Sequence, residues 1–223
     1  MRCIRYDNLE GFYKAVAEEM DRMSEYLCKM DAELGDGDLG ITMKKGFGAL
    51  PDIIRKELEN QGEDKHIGRC ITNSALHMMS LVPSTMGTLM ASGLMSAGRL
   101  LEKTGKTEMD ALGYVVYLKG YSEGIARRGK CRQGDCTVLD AVQGAYDYAA
   151  ECLKQNEAPT LQLVAAGALE GAKKGLKATE KMIPKFGKAS VFAEKAAGHP
   201  DQGAYAGMCM IQGYYNFICG YRA

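Results

Sequence analysis

The sequence predicts an all-α fold, a single domain built as an eight-helix antiparallel barrel or bundle. Three observations predict it. Apolar residues recur at steps of three and four along almost the whole chain, and no period-two run of β-branched residues stands out. The joins between periodic segments are short, which favours antiparallel neighbours. The first helix is read at 8–29, where Leu9, Phe12, Val16, Met20, Met23 and Leu27 share one face. The second and third are read at 40–60 and 66–81. The fourth, 84–103, follows Pro83 and opens on Ser84 and Thr85, with Gly105 beyond its end. The fifth, 107–128, closes at Gly129, and the sixth, 135–154, follows Gly134 with Asp135 as its N-cap. The seventh, 159–179, starts at Pro159 and repeats the apolar pattern in Leu161, Val164, Ala165, Ala168, Leu169, Ala172 and Leu176. A shorter piece is expected at 188–197, between Gly187 and Gly198, and the eighth main helix at 201–221 after Pro200. All five prolines (Pro51, Pro83, Pro159, Pro184, Pro200) are read as breaks between periodic segments. No Pro-, Ser- or charge-rich linker divides the chain, so residues 1–223 are read as one domain.

At 223 residues and 46% hydrophobic content, the chain can bury a sizeable core within one domain. Lys+Arg and Asp+Glu both number 28, so the formal charge is zero. That predicts no nucleic-acid stripe and no attraction to an anionic membrane, and confines any anion site to a local feature. The eight cysteines are scattered, with no CxxC and no His at ligand spacing. This argues against zinc and for reduced thiols. The opening MRCIRYDNLEGF lacks the apolar run of a signal peptide, and no stretch approaches the ~18 apolar residues of a membrane span. A cytoplasmic location is expected. Met78, Met79, Met86, Met90 and Met95 crowd the middle of the chain and are read as flexible core filling rather than a wall against a ring.

Four segments carry chemistry. In Asp31-Ala-Glu-Leu-Gly35-Asp36-Gly37-Asp38-Leu39-Gly40, Asp31 is expected to close the first helix, with Asp36 and Asp38 in a glycine-rich turn before the second. Three short carboxylates converging on a turn repel one another unless a cation lies between them, and oxygen-only ligands suit Mg²⁺ or Ca²⁺. The turn feeds a helix N-terminus, whose free amides favour phosphate. The competing reading is a solvated acidic turn with Asp38 as an N-cap. An EF-hand is excluded, because the twelfth position from Asp36 is Phe47 rather than Glu. The second segment, Arg127 to Asp140, is a basic, glycine-bearing loop between helices. The third runs from Lys185 to Ala204, with Lys188 able to meet phosphate and His199 and Asp201 at a helix start. The fourth, Val82 to Thr88, opens a helix with hydroxyls and free amides.

Taken in order, these segments resemble the L subunit of dihydroxyacetone kinase, the nucleotide-binding subunit of that enzyme. The pattern D-x-x-x-[IL]-G-D-x-D-x-G-x-x-M is met by Asp31, Leu34, Gly35, Asp36, Asp38, Gly40 and Met43. The pattern R-G-K-x-x-x-G-D-x-T-x-x-D is met by Arg128, Gly129, Lys130, Gly134, Asp135, Thr137 and Asp140. The family's G-R-A-S and G-H-x-D-x-G-A stretches appear as Gly187-Lys188-Ala189-Ser190 and Gly198-His199-Pro200-Asp201-Gln202-Gly203-Ala204. The likeness runs over nearly the whole chain. It departs in three places: Leu39 stands where the family usually has His, Lys188 where it has Arg, and Pro83-Ser84-Thr85-Met86-Gly87-Thr88 where it has a Ser-Gly-Pro-bearing helix entry.

The resemblance implies an eight-helix antiparallel barrel with a nucleotide site at one end. It implies that Asp31, Asp36 and Asp38 hold two Mg²⁺ ions bridging the phosphates of ADP or ATP. It places Leu39, Gly40, Ile41, Thr42, Ser84, Thr85, Gly129, Val138, Lys188, Asp201, Gln202 and Gly203 around the nucleotide. No catalytic residue is expected in this chain alone. The small hydroxyketone or related sugar is expected on a separate K-like subunit. In one branch of the family, bound ADP is rephosphorylated by a phosphocarrier of the sugar phosphotransferase system; in the other, ATP is consumed directly. A free-standing L subunit leans toward the first. Two other readings compete: a nucleotide-loaded, non-catalytic regulator of a transcription factor, for which Leu39 in place of His speaks, and a purely structural helical protein.

Overall fold

The spacing of the first apolar run becomes the inward face of α1 (Leu9–Leu34), on which Leu9, Phe12, Val16, Met20 and Leu27 are buried. The computed structural model describes residues 1–62 and 65–220, with the backbone alone at 192–194. Beyond α1 it runs through α2 (Leu39–Asn60), α3 (Ile67–Leu81), α4 (Thr85–Glu102), α5 (Ala111–Gly129), α6 (Val138–Gln155) and α7 (Leu161–Thr179). A 3-10 turn at Lys188–Phe192 and the single turn of α8 (Ala193–Ala196) then lead to α9 (Gln202–Cys219). Helices α1 to α7 and α9 are the main elements expected from the sequence. Each packs on its neighbours in chain order, and α9 packs on both α7 and α1, so the ring closes. The pairs are antiparallel. Along α6 and α7, Gly144 meets Gly171 while Asp140 meets Gly175; along α1 and α9, Gly11 meets Phe217 while Val16 meets Gly213. Among the described residues, no helix is long and apolar enough to cross a membrane.

Several boundaries differ from expectation. Helix α1 continues to Leu34, so Asp31 lies in its last turn and does not close it. Helix α5 begins at Ala111, not 107, because Asp110 Oδ1 accepts the Gly113 amide at 2.8 Å as N-cap, and Met109 is paired with Ile4 through two backbone hydrogen bonds. Helix α6 begins at Val138, not at 135. Thr137 is its N-cap, and Asp140 closes a capping box by accepting the Thr137 amide at 2.8 Å. Pro51 does not mark a break but lies inside α2, flanked by the fully buried Leu50 and Ile54. Packing of that face carries the helix across the missing amide. Residue 221, expected at the end of the last helix, lies outside the described residues.

The barrel interior is aromatic. Tyr13 on α1, Tyr114, Tyr117 and Tyr121 on α5, and Tyr214 on α9 are all fully buried. The Tyr117 hydroxyl lies 3.0 Å from that of Tyr13 and 2.6 Å from that of Tyr214, and Phe12 stacks on the Tyr214 ring at 4.4 Å. Helix α5 is no ring neighbour of α1 or α9, so these rings meet across the axis. Met78 and Met90 are buried in the same core, with Met79, Met86 and Met95 packed against it, as expected of filling residues.

Candidate functional site

In an up-and-down barrel every second helix starts at the same end. Helices α2, α4, α6 and α9 therefore begin together, and their unpaired amides and dipoles make that end receptive to anions. The approach is close: a Cβ on Gly203 would stand 3.0 Å from Met86 Cε and 3.3 Å from the Val138 amide nitrogen. The first turn of α4 is capped by Ser84, whose Oγ accepts the Gly87 amide at 3.0 Å, and the first turn of α9 by Asp201, whose Oδ2 accepts the Ala204 amide at 2.7 Å.

The acidic turn lies at the start of α2. Asp31, on the last turn of α1, accepts the amides of Gly37, Asp38 and Leu39 on its Oδ2 at 2.9, 3.1 and 3.3 Å. It thereby caps the following helix, a role that the competing reading of a solvated acidic turn gave to Asp38, whose side chain makes no capping bond. Gly37 has φ +77°, a left-handed conformation that glycine adopts without strain. The turn brings carboxylate oxygens of Asp31, Asp36 and Asp38 within 4.8 Å of one another, Asp31 buried and the other two exposed. Lys188 Nζ lies 2.5 Å from Asp36 Oδ2 and holds that carboxyl below the usual carboxylate range; Asp36, followed by Asp38 and Asp31, raises the affinity of Lys188 for its proton. The chemistry of this donor set, hard oxygens on a short turn, fits a divalent cation such as Mg²⁺.

The other expected residues divide into two groups. Leu39 is buried in the core, and Gly40 packs against the Ser24 carbonyl of α1, where no side chain would fit. Their neighbours Ile41, exposed, and Thr42, half-buried, lie in the first turn of α2. Thr85 is exposed, Val138 and Gly203 are buried where α6 meets α9, and Gly129 ends α5 beside Leu89. Gln202 is half-buried at the first position of α9. Lys188 reaches the acidic turn directly. Asp201 is buried, and burial, followed by the nearby Asp140 carboxylate and then that of Asp31, pushes its carboxyl up to about 7. His199 is exposed, its amide bonded to the Ala196 carbonyl at 3.1 Å.

Three residues, Asp140, Asp135 and Lys185, organise the loop before α6. Asp140 accepts the Gly134 and Thr137 amides at 2.6 and 2.8 Å, folding the basic loop back on α6, while burial raises its pKa. The Thr137-x-x-Asp140 spacing is a capping-box signal that the sequence does carry. Asp135 accepts Lys185 Nζ at 2.6 Å and the Arg132 amide at 2.9 Å, and Lys185 holds it below the usual carboxylate range. That ion pair joins residues 50 positions apart. No local pattern announces it.

The DAK2 domain model matches residues 33–216. The chain belongs to the DAK2 domain family. This DAK2 chain is 29% identical over 189 residues to the ADP-binding subunit DhaL of the PEP-dependent dihydroxyacetone kinase of Escherichia coli, covering 85% of this chain and 86% of that one. It is 28% identical over 193 residues to the D-erythrulose kinase of Mycolicibacterium smegmatis, covering 86% of this chain but 32% of that one. The fold superposes on the crystal structure of the dihydroxyacetone kinase from C. freundii in complex with AMP-PNP and Mg²⁺, with TM-score 0.66 and 20% identity over 93% of this chain and 33% of that one. At that identity the likeness speaks for the fold. The chain thus spans about a third of these two longer kinases and most of the DhaL subunit.

Proposed function

We propose that this chain, over residues 1–223, is the Mg²⁺- and ADP- or ATP-binding subunit of a dihydroxyacetone-type kinase. It presents the phosphoryl group to a small hydroxyketone or related sugar held by a separate K-like subunit. One observation carries the reading: Asp31, Asp36 and Asp38 converge, oxygen to oxygen within 4.8 Å, on a turn that opens directly into a helix N-terminus. The likeness to relatives named as ADP-binding subunits of PEP- and PTS-dependent dihydroxyacetone kinases supports recharging by a phosphotransferase-system phosphocarrier.

In this reading the three aspartates hold two Mg²⁺ ions, which when bound neutralise phosphate charge and orient the transferred group. The chain's own residues do the rest. The amides of Gly40 and Ile41, at the head of α2, donate to phosphate oxygens. Lys188 supplies a positive charge beside them. Ser84, Thr85, Val138 and the Asp201–Gln202–Gly203 turn bound the nucleoside, with Gly129 at the rim of the basic loop. No side chain here is assigned as acid or base, and phosphoryl transfer needs mainly positioning and charge.

Calorimetric titration of ADP tests the reading. Binding should require Mg²⁺ and should weaken at least about tenfold in Asp36→Asn, with the helical circular dichroism unchanged. ADP binding indifferent both to Mg²⁺ and to that substitution would overturn it.

A further inference from the structure

We propose that Lys188 is the built-in counter-cation of the Asp31–Asp36–Asp38 turn, displaced from Asp36 when divalent metal binds and taken up by nucleotide phosphate, so that one side chain couples the two ligands. The inference rests on the reading of the turn as a metal site. Three carboxylates this close repel one another, and the Lys188 ammonium, 2.5 Å from Asp36 Oδ2, offsets that repulsion. Two cations drawn to one carboxylate repel, so a metal ion on Asp36 works against the ammonium beside it.

The backbone around Lys188 is held independently of this ion pair. Ala189 is buried with Leu34, the last residue of α1, and with Ala196. Upstream, the Lys185 amide donates to the Asp135 carbonyl at 3.2 Å. Downstream, the Gly198 amide donates to the Glu180 carbonyl at 3.0 Å, and the Asp201 amide to Thr179 Oγ1 at 2.9 Å. The Lys188 side chain is itself 60% exposed, so it can swing off Asp36 without disturbing packing. Released, its charge stays tethered beside the turn and the head of α2. Metal alone must displace the ammonium into water. Metal arriving with nucleotide displaces it onto a phosphate oxygen, an acceptor of full charge. Metal affinity therefore rises with nucleotide by more than direct bridging provides, and nucleotide affinity rises with metal by the same factor.

The test is titration of the full chain with Mn²⁺, followed by electron paramagnetic resonance, with and without ADP, in the wild type, Lys188→Met and Asp36→Asn. Without ADP, Lys188→Met should bind Mn²⁺ about twofold to tenfold tighter than the wild type. The gain in Mn²⁺ affinity on adding ADP should be smaller in that variant. Equal or weaker Mn²⁺ binding by Lys188→Met, while Asp36→Asn abolishes wild-type binding, overturns the coupling and leaves the metal site standing. Absence of any Asp36-dependent Mn²⁺ binding overturns the metal site and the coupling together.

Discussion

A buried carboxylate without a cationic partner makes stability depend on pH, and Asp201 has none among the described residues. Its carboxyl is pushed up from 3.8 to about 7, by burial first, and Asp140 is raised in the same direction. Below pH 4 both folded and unfolded states hold the proton. Between about pH 4 and 7 the unfolded chain releases it while the folded chain keeps it, so stability falls as pH rises, and the loss is complete above 7. Asp201→Asn keeps a capping oxygen for the Ala204 amide and removes the charge. Denaturant titration should find the metal-free variant gaining on the wild type by a few kcal/mol at pH 8 relative to pH 5. The buried phenols offer a second contrast. The Tyr117 hydroxyl is bonded to two others, whereas the Tyr121 hydroxyl has no hydrogen-bond partner among the described residues. Tyr117→Phe should cost about 1–3 kcal/mol and Tyr121→Phe close to nothing, as read by the same titration. At this scale the aspartate trio was legible, because crowded carboxylates and glycines are a local signal. The bond from Lys188 to Asp36, 152 positions apart, and the capping of α2 by Asp31 were not, since both depend on how segments fold onto one another.

Between elements, backbones approach through glycine. A Cβ on Gly144 of α6 would stand 2.5 Å from the Gly171 carbonyl oxygen of α7, and one on Gly171 would be closer still to the Gly144 carbonyl. Gly48, by contrast, lies exposed in α2 with nothing within 4 Å of its missing Cβ. The same substitution should thus have opposite signs. Gly171→Ala should destabilise by about 1–3 kcal/mol through forced separation of α6 and α7, outweighing its helix propensity. Gly48→Ala should stabilise by about 0.5–1 kcal/mol, because alanine costs less entropy in a helix. Thermal melts of the two variants check both signs. Helix existence was readable from the three-and-four spacing of residues such as Leu161, Val164, Ala168 and Ala172. Helix ends were less so: Asp135 looked like the cap of α6, but its carboxylate is taken by Lys185 and Arg132, and Thr137 caps instead. Pro51 misled because a single residue was weighed against a helix that its buried neighbours sustain.

For the molecule as a whole, ring closure decides where function can sit. Eight helices could be counted along the chain, but the contact of α9 with α1, which makes a barrel of them, joins the two ends of the sequence. Once closed, the ring places four helix N-termini at one end, and the segment from Glu180 to Asp201 crosses that end as a strap. Lys185 holds one side of the strap to Asp135 on the basic loop, and Lys188 reaches from the next turn to Asp36. The strap thus joins the loop before α6 to the turn before α2, across the proposed nucleotide. Removing the first tie should loosen the strap without unfolding the barrel, because the long helices pack on one another in a closed ring. Lys185→Met should speed amide hydrogen exchange at residues 186–191 and raise the ADP dissociation rate several-fold, with the melting temperature changed by less than about 3 °C. Exchange mass spectrometry and stopped-flow release of a fluorescent ADP analogue measure the two effects. Unchanged exchange would show that the backbone bonds at Gly198 and Asp201 suffice to hold the strap, while faster exchange with unchanged release would place the nucleotide clear of it.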